Sequence, residues 1–153
     1  MFSKSTQYAL KAALYLAHRE NPGEPVGTGE LAKAINAPPQ FLAKTLQKLV
    51  HANIISSVKG SNGGVFLSEE NLHIKLVDIL NEMSGQTGIN TCLLGTSNCD
   101  PEHPCILHKD FVKVREGLNE FFQSHVLADF QALGEADFQK RYNWIGQNGK
   151  IDR

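Results

Sequence analysis

The stretch GELAKAINAPPQFLAKTLQKLVHANIISSVKGSNGGVFL, residues 29–67, leaves few folds open to this chain. Thr28 or Gly29 can start a short helix carrying Leu31, Ala32 and Ile35. NAPP at 36–39 stops that helix and starts another, because proline is tolerated in a first helical turn, where its missing N–H would have no partner. The next helix is expected over about 38–52. Leu42, Leu46 and Leu49 make its inward stripe, and Gln40, Lys44, Gln47, Lys48 and His51 fall on a single polar face. Asn53 can take the left-handed conformation that ends a helix. IISSV then reads as a short strand, KGSNGG as a tight turn and VFL as a returning strand. Before all this, residues 5–20 form a helix so dense in apolar side chains (Tyr8, Leu10, Ala12, Ala13, Leu14, Leu16, Ala17) that most of its sides are buried. NPGEPVG at 21–27 ends it. These elements predict a mainly α chain with a small β-hairpin wing, a winged helix-turn-helix over residues 1–84.

Glutamine can read base edges, and lysine can meet phosphates or guanine. A polar helix face alone is usually just solvated. Joined to a glycine-tipped hairpin it becomes a candidate DNA reader. Gly60, Gly63 and Gly64 let the tip bend and approach a phosphate backbone, with Lys59 beside it. The candidate DNA contacts are Thr28, Pro39, Gln40, Lys44, Gln47 and Lys48 on the helices and Lys59, Gly60, Ser61, Asn62 and Gly63 on the wing. The net charge of −1 hides a split: residues 1–60 hold seven Lys/Arg against three acids, whereas 61–153 hold eight against thirteen. A basic first part leaves room for a local phosphate-binding surface.

IKLVDILNEM at 74–83 repeats apolar residues at helical spacing, and Gly85 and Gly88 end that helix. A long helix is expected over 106–133. Leu107, Phe111, Val114, Leu118 and Phe121 are spaced 4-3-4-3, a heptad seam, and Phe122, Val126, Leu127 and Phe130 broaden it. Such a seam needs a partner. A homodimer is expected, because two half-sites on palindromic double-stranded DNA call for a two-fold protein. Residues 134–153, with Phe138, Tyr142 and Trp144, read as a short helix and tail.

Between the helices, residues 85–105 form a loop that holds all three cysteines: Cys92, Cys99 and Cys105, followed by His108 in a C-x6-C-x5-C-x2-H pattern. Three thiols cannot all pair as disulfides. Packed thiolates repel one another unless a cation sits among them. Zinc sites usually contain a C-x2-4-C knuckle, absent here. Iron–sulfur clusters take thiolates, and histidine can replace one. An iron–sulfur cluster is therefore the leading reading, with zinc or a bare thiol sensor still open. His108 is the leading fourth ligand; His103, Asp100 and Glu102 are rivals.

No apolar run approaches the roughly 18 residues of a membrane helix. The opening MFSKSTQYAL lacks the uninterrupted apolar stretch and cleavage site of a signal peptide, so a cytoplasmic protein without a membrane partner is expected. No C-x2-C pair, glycine-rich nucleotide loop or Ser/His/Asp set supports an enzyme.

The chain resembles the iron–sulfur-dependent winged-helix transcription regulators of the Rrf type, the family that includes IscR and NsrR. The resemblance covers about residues 2–130. It rests on YALKAALYLA (8–17), on the block 29–67, and on three cysteines between two helices. It implies a homodimer with crossed long helices, helix 38–52 in the major groove and the wing along the minor groove. It implies a cluster, 2Fe–2S ahead of 4Fe–4S and open to loss in air, that alters DNA affinity when lost, oxidised or nitrosylated. Cys92, Cys99 and Cys105 match the family ligands, and His108 matches the histidine of the IscR branch. In other branches the fourth ligand is an acidic residue of the partner near its N-terminus; Gln7 stands there. The first cysteine gap is one residue longer than in the IscR pattern. Lys59 replaces a common Arg, and Asn53 a common Gly. A regulator without metal, controlled by a protein partner or by thiol oxidation, is the alternative.

Overall fold

The computed structural model describes residues 2–84, 89, 92–94 and 100–131 of the 153-residue chain. Among them run α1 (Lys4–His18), α2 (Thr28–Ala34), α3 (Pro39–His51), the antiparallel hairpin β1 (Ser56–Val58) and β2 (Gly64–Phe66), α4 (Leu76–Ser84) and α5 (His108–Ser124). Short 3-10 turns lie at Asn71–His73 and Leu127–Phe130. The expected mainly helical winged helix-turn-helix is present. Cys99, Gly85, Gly88 and the expected short helix after residue 134 lie outside the described residues.

α1 is the central helix. Ser3 caps it by accepting the Thr6 N–H at 3.1 Å, which satisfies one donor that a helix start leaves open. Ala9, Ala12, Ala13, Leu16 and Ala17 are fully buried. α1 packs against α3, α4 and the 3-10 turn at 127–130.

α2 and α3 meet at a turn built by one device, used twice. Asn36 follows α2 with φ 51°, and Asn53 follows α3 with φ 56°. After α2, the Ala37 N–H returns to the Ala32 carbonyl at 2.9 Å and the Asn36 N–H to the Lys33 carbonyl at 3.3 Å. After α3, Ile54 N–H returns to the Leu49 carbonyl at 2.9 Å and Asn53 N–H to the Val50 carbonyl at 3.0 Å. Each set closes orphan carbonyls of a helix end around a left-handed asparagine. Pro38 precedes α3 and Pro39 occupies its first turn. The sequence reading of Asn53 and of the proline pair matches this geometry.

The wing is held from both sides. Val26 and Val65 exchange N–H···O bonds of 2.9 Å in each direction, a minimal third strand. A Cβ on Gly64 would overlap the Val26 carbonyl, so this close pairing requires glycine. Gly64→Ala should therefore lower stability by about 1–3 kcal/mol, read as a shifted denaturant midpoint. On the other side, Asn71 is a buried hub. Its carbonyl accepts Ser56 Oγ at 2.7 Å, Ser68 N–H at 3.0 Å and Ser68 Oγ at 2.9 Å, and its amide donates to the Asn53 carbonyl at 2.9 Å. One side chain thus ties β1 to the end of α3.

α5 is shorter than the helix expected from 106 onward. Leu107 caps it from outside, and it ends at Ser124. The His125 carbonyl accepts the Leu76 N–H at 3.0 Å, and Leu127 N–H donates to the Ile74 carbonyl at 3.0 Å. Val126 is thereby pulled extended beside Lys75, and Asp129 Oδ2 accepts its N–H at 2.8 Å. Phe122 and Leu127 do not broaden an outer seam; they are buried in the chain's own core, where Phe122 meets Phe2 edge-on at 5.6 Å. Pairing with the segment before α4 wins over helical continuation, because it buries Leu127 completely.

Candidate nucleic-acid interface and cysteine loop

Gln40, Lys44, Gln47, Lys48 and His51 of α3 are all exposed, while Leu42, Leu46 and Leu49 beneath them are buried. Thr45 sits on the buried side and donates its hydroxyl to the Phe41 carbonyl at 3.2 Å, so its polarity is satisfied locally. Phe41, half-exposed in the first turns of α3, meets Tyr8 of α1 edge-on at 5.6 Å. Pro39 is exposed beside it. At the wing tip Lys59, Gly60, Ser61 and Asn62 are exposed and Gly63 is half-buried. Gly60 has φ +116°, a conformation suited to glycine, and the Gly63 N–H closes the turn on the Gly60 carbonyl at 3.0 Å. Thr28 opens α2, half-buried.

These parts converge on a cleft of about 450 Å³ lined by Thr28, Ala43, Leu46, Gln47, Val50, His51, Ser57 and Val65. Sequence reading did not find this cleft, since its walls come from α2, α3 and both wing strands. A charge pattern accompanies it. From Leu31 to Ser68 the chain holds four lysines and no Asp or Glu. The near-neutral average therefore conceals an acid-free unit that comprises α3 and the wing.

In the cysteine loop, Cys92 is buried and Cys105 is half-buried, and neither is in a disulfide. Cys99 lies outside the described residues. The Cys105 carbonyl accepts the His108 N–H at 3.0 Å, and α5 begins at His108. Thiol and imidazole thus stand at the entrance of one helix. Two of the rival ligands hold each other: Asp100 Oδ2 is 2.8 Å from His103 Nδ1, and Asp100 Oδ1 accepts the Glu102 N–H at 2.8 Å. The His103 bond first, then the Glu102 N–H, keep the Asp100 carboxyl below the usual carboxylate range. Gln7 donates its amide to the Phe2 carbonyl at 3.0 Å. Among the described residues no three of His, Cys, Asp and Glu are gathered as a metal set. The donor chemistry of Cys92, Cys105 and His108, two thiols and an imidazole, suits iron–sulfur ligation.

Along α5 the seam divides. Val114 and Phe121 are about half exposed and Leu107 is 39% exposed at the helix entrance. Phe111 and Leu118 are half-buried, and Leu118 packs on the chain's own core. Leu93, Leu94 and Ile106 add exposed apolar surface in the adjoining loop. No described helix is long and apolar enough to cross a membrane.

A helix-turn-helix with an exposed basic α3 and a glycine-tipped wing defines a winged-helix DNA-binding protein. The family model described as Rrf2, iron-dependent transcriptional regulator, matches residues 2–132, and the chain belongs to that family. It is 32% identical over 137 residues to a protein of Aquifex aeolicus (strain VF5) named as an HTH-type transcriptional regulator, covering 88% of this chain and 94% of that one. It is 25% identical over 105 residues to the HTH-type transcriptional repressor NsrR of Streptomyces coelicolor, covering 69% of this chain and 66% of that one. Its fold is similar to CymR, described as the global cysteine regulator of B. subtilis, with a TM-score of 0.69 at 21% identity, over 86% of this chain and 96% of that one. The chain is thus a transcriptional regulator and not an enzyme.

Proposed function

We propose that this regulator binds palindromic double-stranded DNA as a homodimer, with an affinity set by an iron–sulfur cluster on Cys92, Cys99, Cys105 and His108. The carrying observation is the placement of Cys105 and His108 at the entrance of α5, with the fully buried Leu127 anchoring the chain beyond its far end. When bound, the cluster supplies iron that responds to redox state, nitric oxide or iron–sulfur supply. 2Fe–2S is the preferred type.

The chain's own bonds offer a route from the loop to the DNA. α5 leads from Cys105 to His125, whose carbonyl holds the Leu76 N–H at the start of α4. α4 packs against α1 and α3. The entrance of α5 thus has a continuous packed path to the helix that carries Gln40, Lys44 and Lys48. Anaerobic purification with visible spectroscopy and iron and sulfide analysis, followed by DNA binding of the loaded and stripped protein, tests this reading. Equal affinity of the two forms would refute it.

Lys44→Ala, Lys48→Ala and Lys59→Ala should each weaken binding on every duplex and lower the log–log salt slope by about one unit. Gln40→Ala should instead relax base preference. Anisotropy titrations at several salt concentrations read both effects. Unchanged affinity in all four variants would remove α3 and the wing from the interface.

One observation favours a second reading. The fold is shared with a protein described as the global cysteine regulator of B. subtilis. In that case control comes from thiol oxidation or a protein partner. Protein purified without iron under strict anaerobiosis, with DNA binding that still changes on oxidation, would support it.

A further inference from the structure

We infer that Asn71 is a positioning residue for DNA binding: it fixes the angle between the wing and α3, and through that angle the place of Lys59. This rests on the proposed reading in which α3 and the wing both contact DNA.

Asn71 is buried in the 3-10 turn that follows the hairpin. Its Oδ1 accepts from Ser56 Oγ at 2.7 Å, from Ser68 N–H at 3.0 Å and from Ser68 Oγ at 2.9 Å, and its Nδ2 donates to the Asn53 carbonyl at 2.9 Å. Ser56 is the first residue of β1, Ser68 lies just past the end of β2, and Asn53 is the left-handed residue after α3. Both feet of the wing are thus bonded to one amide, and the same amide is bonded to the end of α3. A backbone N–H can only donate and a carbonyl can only accept, so Oδ1 must face Ser68 and Nδ2 must face Asn53.

Apolar contact alone does not set an angle. Ile54, Ile55, Val65 and Leu67 bury the base of the hairpin, but burial is non-directional. Hydrogen bonds weaken steeply when misaligned. On the α2 side the pairing of Val26 with Val65 holds β2, and on the α3 side Asn71 supplies the directional link. Lys59 stands at the wing tip, about 10 Å along the chain from Ser56. A tilt of about 10° at the base moves it by about 2 Å, enough to break a hydrogen-bonded contact to a phosphate.

The test separates placement from stability. Asn71→Leu branches at Cγ as asparagine does, keeps the net charge, and removes every bond of the amide. Ser56→Ala, at a half-buried position, removes only the bond to β1. Full-length protein is titrated at several salt concentrations with a duplex that the wild type selects from a random library. Asn71→Leu should bind it about tenfold more weakly, the size of one hydrogen bond to a charged group. It should also lower the log–log salt slope by about one unit, although no charge is removed. In that background Lys59→Ala should add no further loss, whereas Lys44→Ala should keep its full cost. Ser56→Ala should weaken binding about threefold, and this loss too should vanish beside Lys59→Ala. A residue that acts only on stability scales the amount of folded protein, so the slope and the cost of Lys59→Ala stay as in wild type. That result overturns the assignment although DNA binding by α3 and the wing stands. If Asn71→Leu does not fold, Ser56→Ala decides: wild-type affinity, or a loss that persists beside Lys59→Ala, overturns the assignment. If Lys44→Ala and Lys59→Ala leave the affinity of the otherwise wild-type protein unchanged, the proposed DNA surface falls and this inference falls with it.

Discussion

Cys105→Ala should leave the anaerobically purified protein colourless and without stoichiometric iron or sulfide, and Cys92→Ala and Cys99→Ala should do the same. Each thiolate would supply one of four donors, and the remaining three cannot complete a cluster. The effect is expected to be all or none, since cluster assembly and loop order are coupled. His108→Ala should behave differently. An imidazole is a neutral ligand, and water or another side chain can take its place, so a weakened or shifted visible spectrum is expected. If His108→Ala keeps the wild-type spectrum while His103→Ala or Glu102→Ala does not, the fourth ligand is elsewhere. The Asp100–His103 pair at 2.8 Å makes that outcome chemically reasonable, because a carboxylate on one ring nitrogen orients the other. Wild-type protein that binds stoichiometric zinc and never iron with sulfide would overturn the cluster itself.

Val114→Asp should convert a dimer into monomers at micromolar concentration, as read by sedimentation velocity. Val114 is 54% exposed in the single chain, and its neighbours on the same face, Phe121 and Leu107, are exposed too. Burying such a side chain stabilises by roughly 1.5–3 kcal/mol. Val114 is already about half covered in the single chain, so about half of that is left to gain per copy; a two-fold interface contains it twice, and its loss weakens the dimer by about 1.5–3 kcal/mol, roughly ten- to a hundredfold in Kd. Burying the new charge adds to that. Phe121→Asp should act similarly. Leu118 is a poor place for this test, since it packs on the chain's own core and its loss would disturb the fold as well. DNA affinity should fall along with the dimer, because the two half-sites would no longer be bound as a unit. Wild-type protein that sediments as a monomer would refute the dimer directly.

How much of this could be read from the amino-acid order follows the range of the forces involved. The elements of residues 29–67 are decided within a few residues of each position. The proline pair at 38–39 has one place in a helix, Asn36 and Asn53 can turn left-handed, and Gly60 can open a hairpin. The leucine spacing of α3 turns one face inward. Those rules are local, and the winged helix-turn-helix and its polar face followed from them, while the family was read from a resemblance over residues 8–17, 29–67 and the three cysteines between two helices. The cysteine pattern proposes a chemistry, iron–sulfur ligation ahead of zinc or a bare thiol sensor, but it carries no geometry. What tertiary structure alone decided are matters of distant contact. α5 stops at Ser124 because Ile74 and Leu76 offer backbone partners to residues 125–127. Gly64 is required by the Val26 carbonyl, and Asn71 matters because Ser56, Ser68 and Asn53 surround it. The cleft that joins Thr28, His51 and Ser57 exists only once three elements meet. No periodicity encodes such meetings. They are set by which apolar surfaces can be buried together, a property of the whole chain rather than of any one segment.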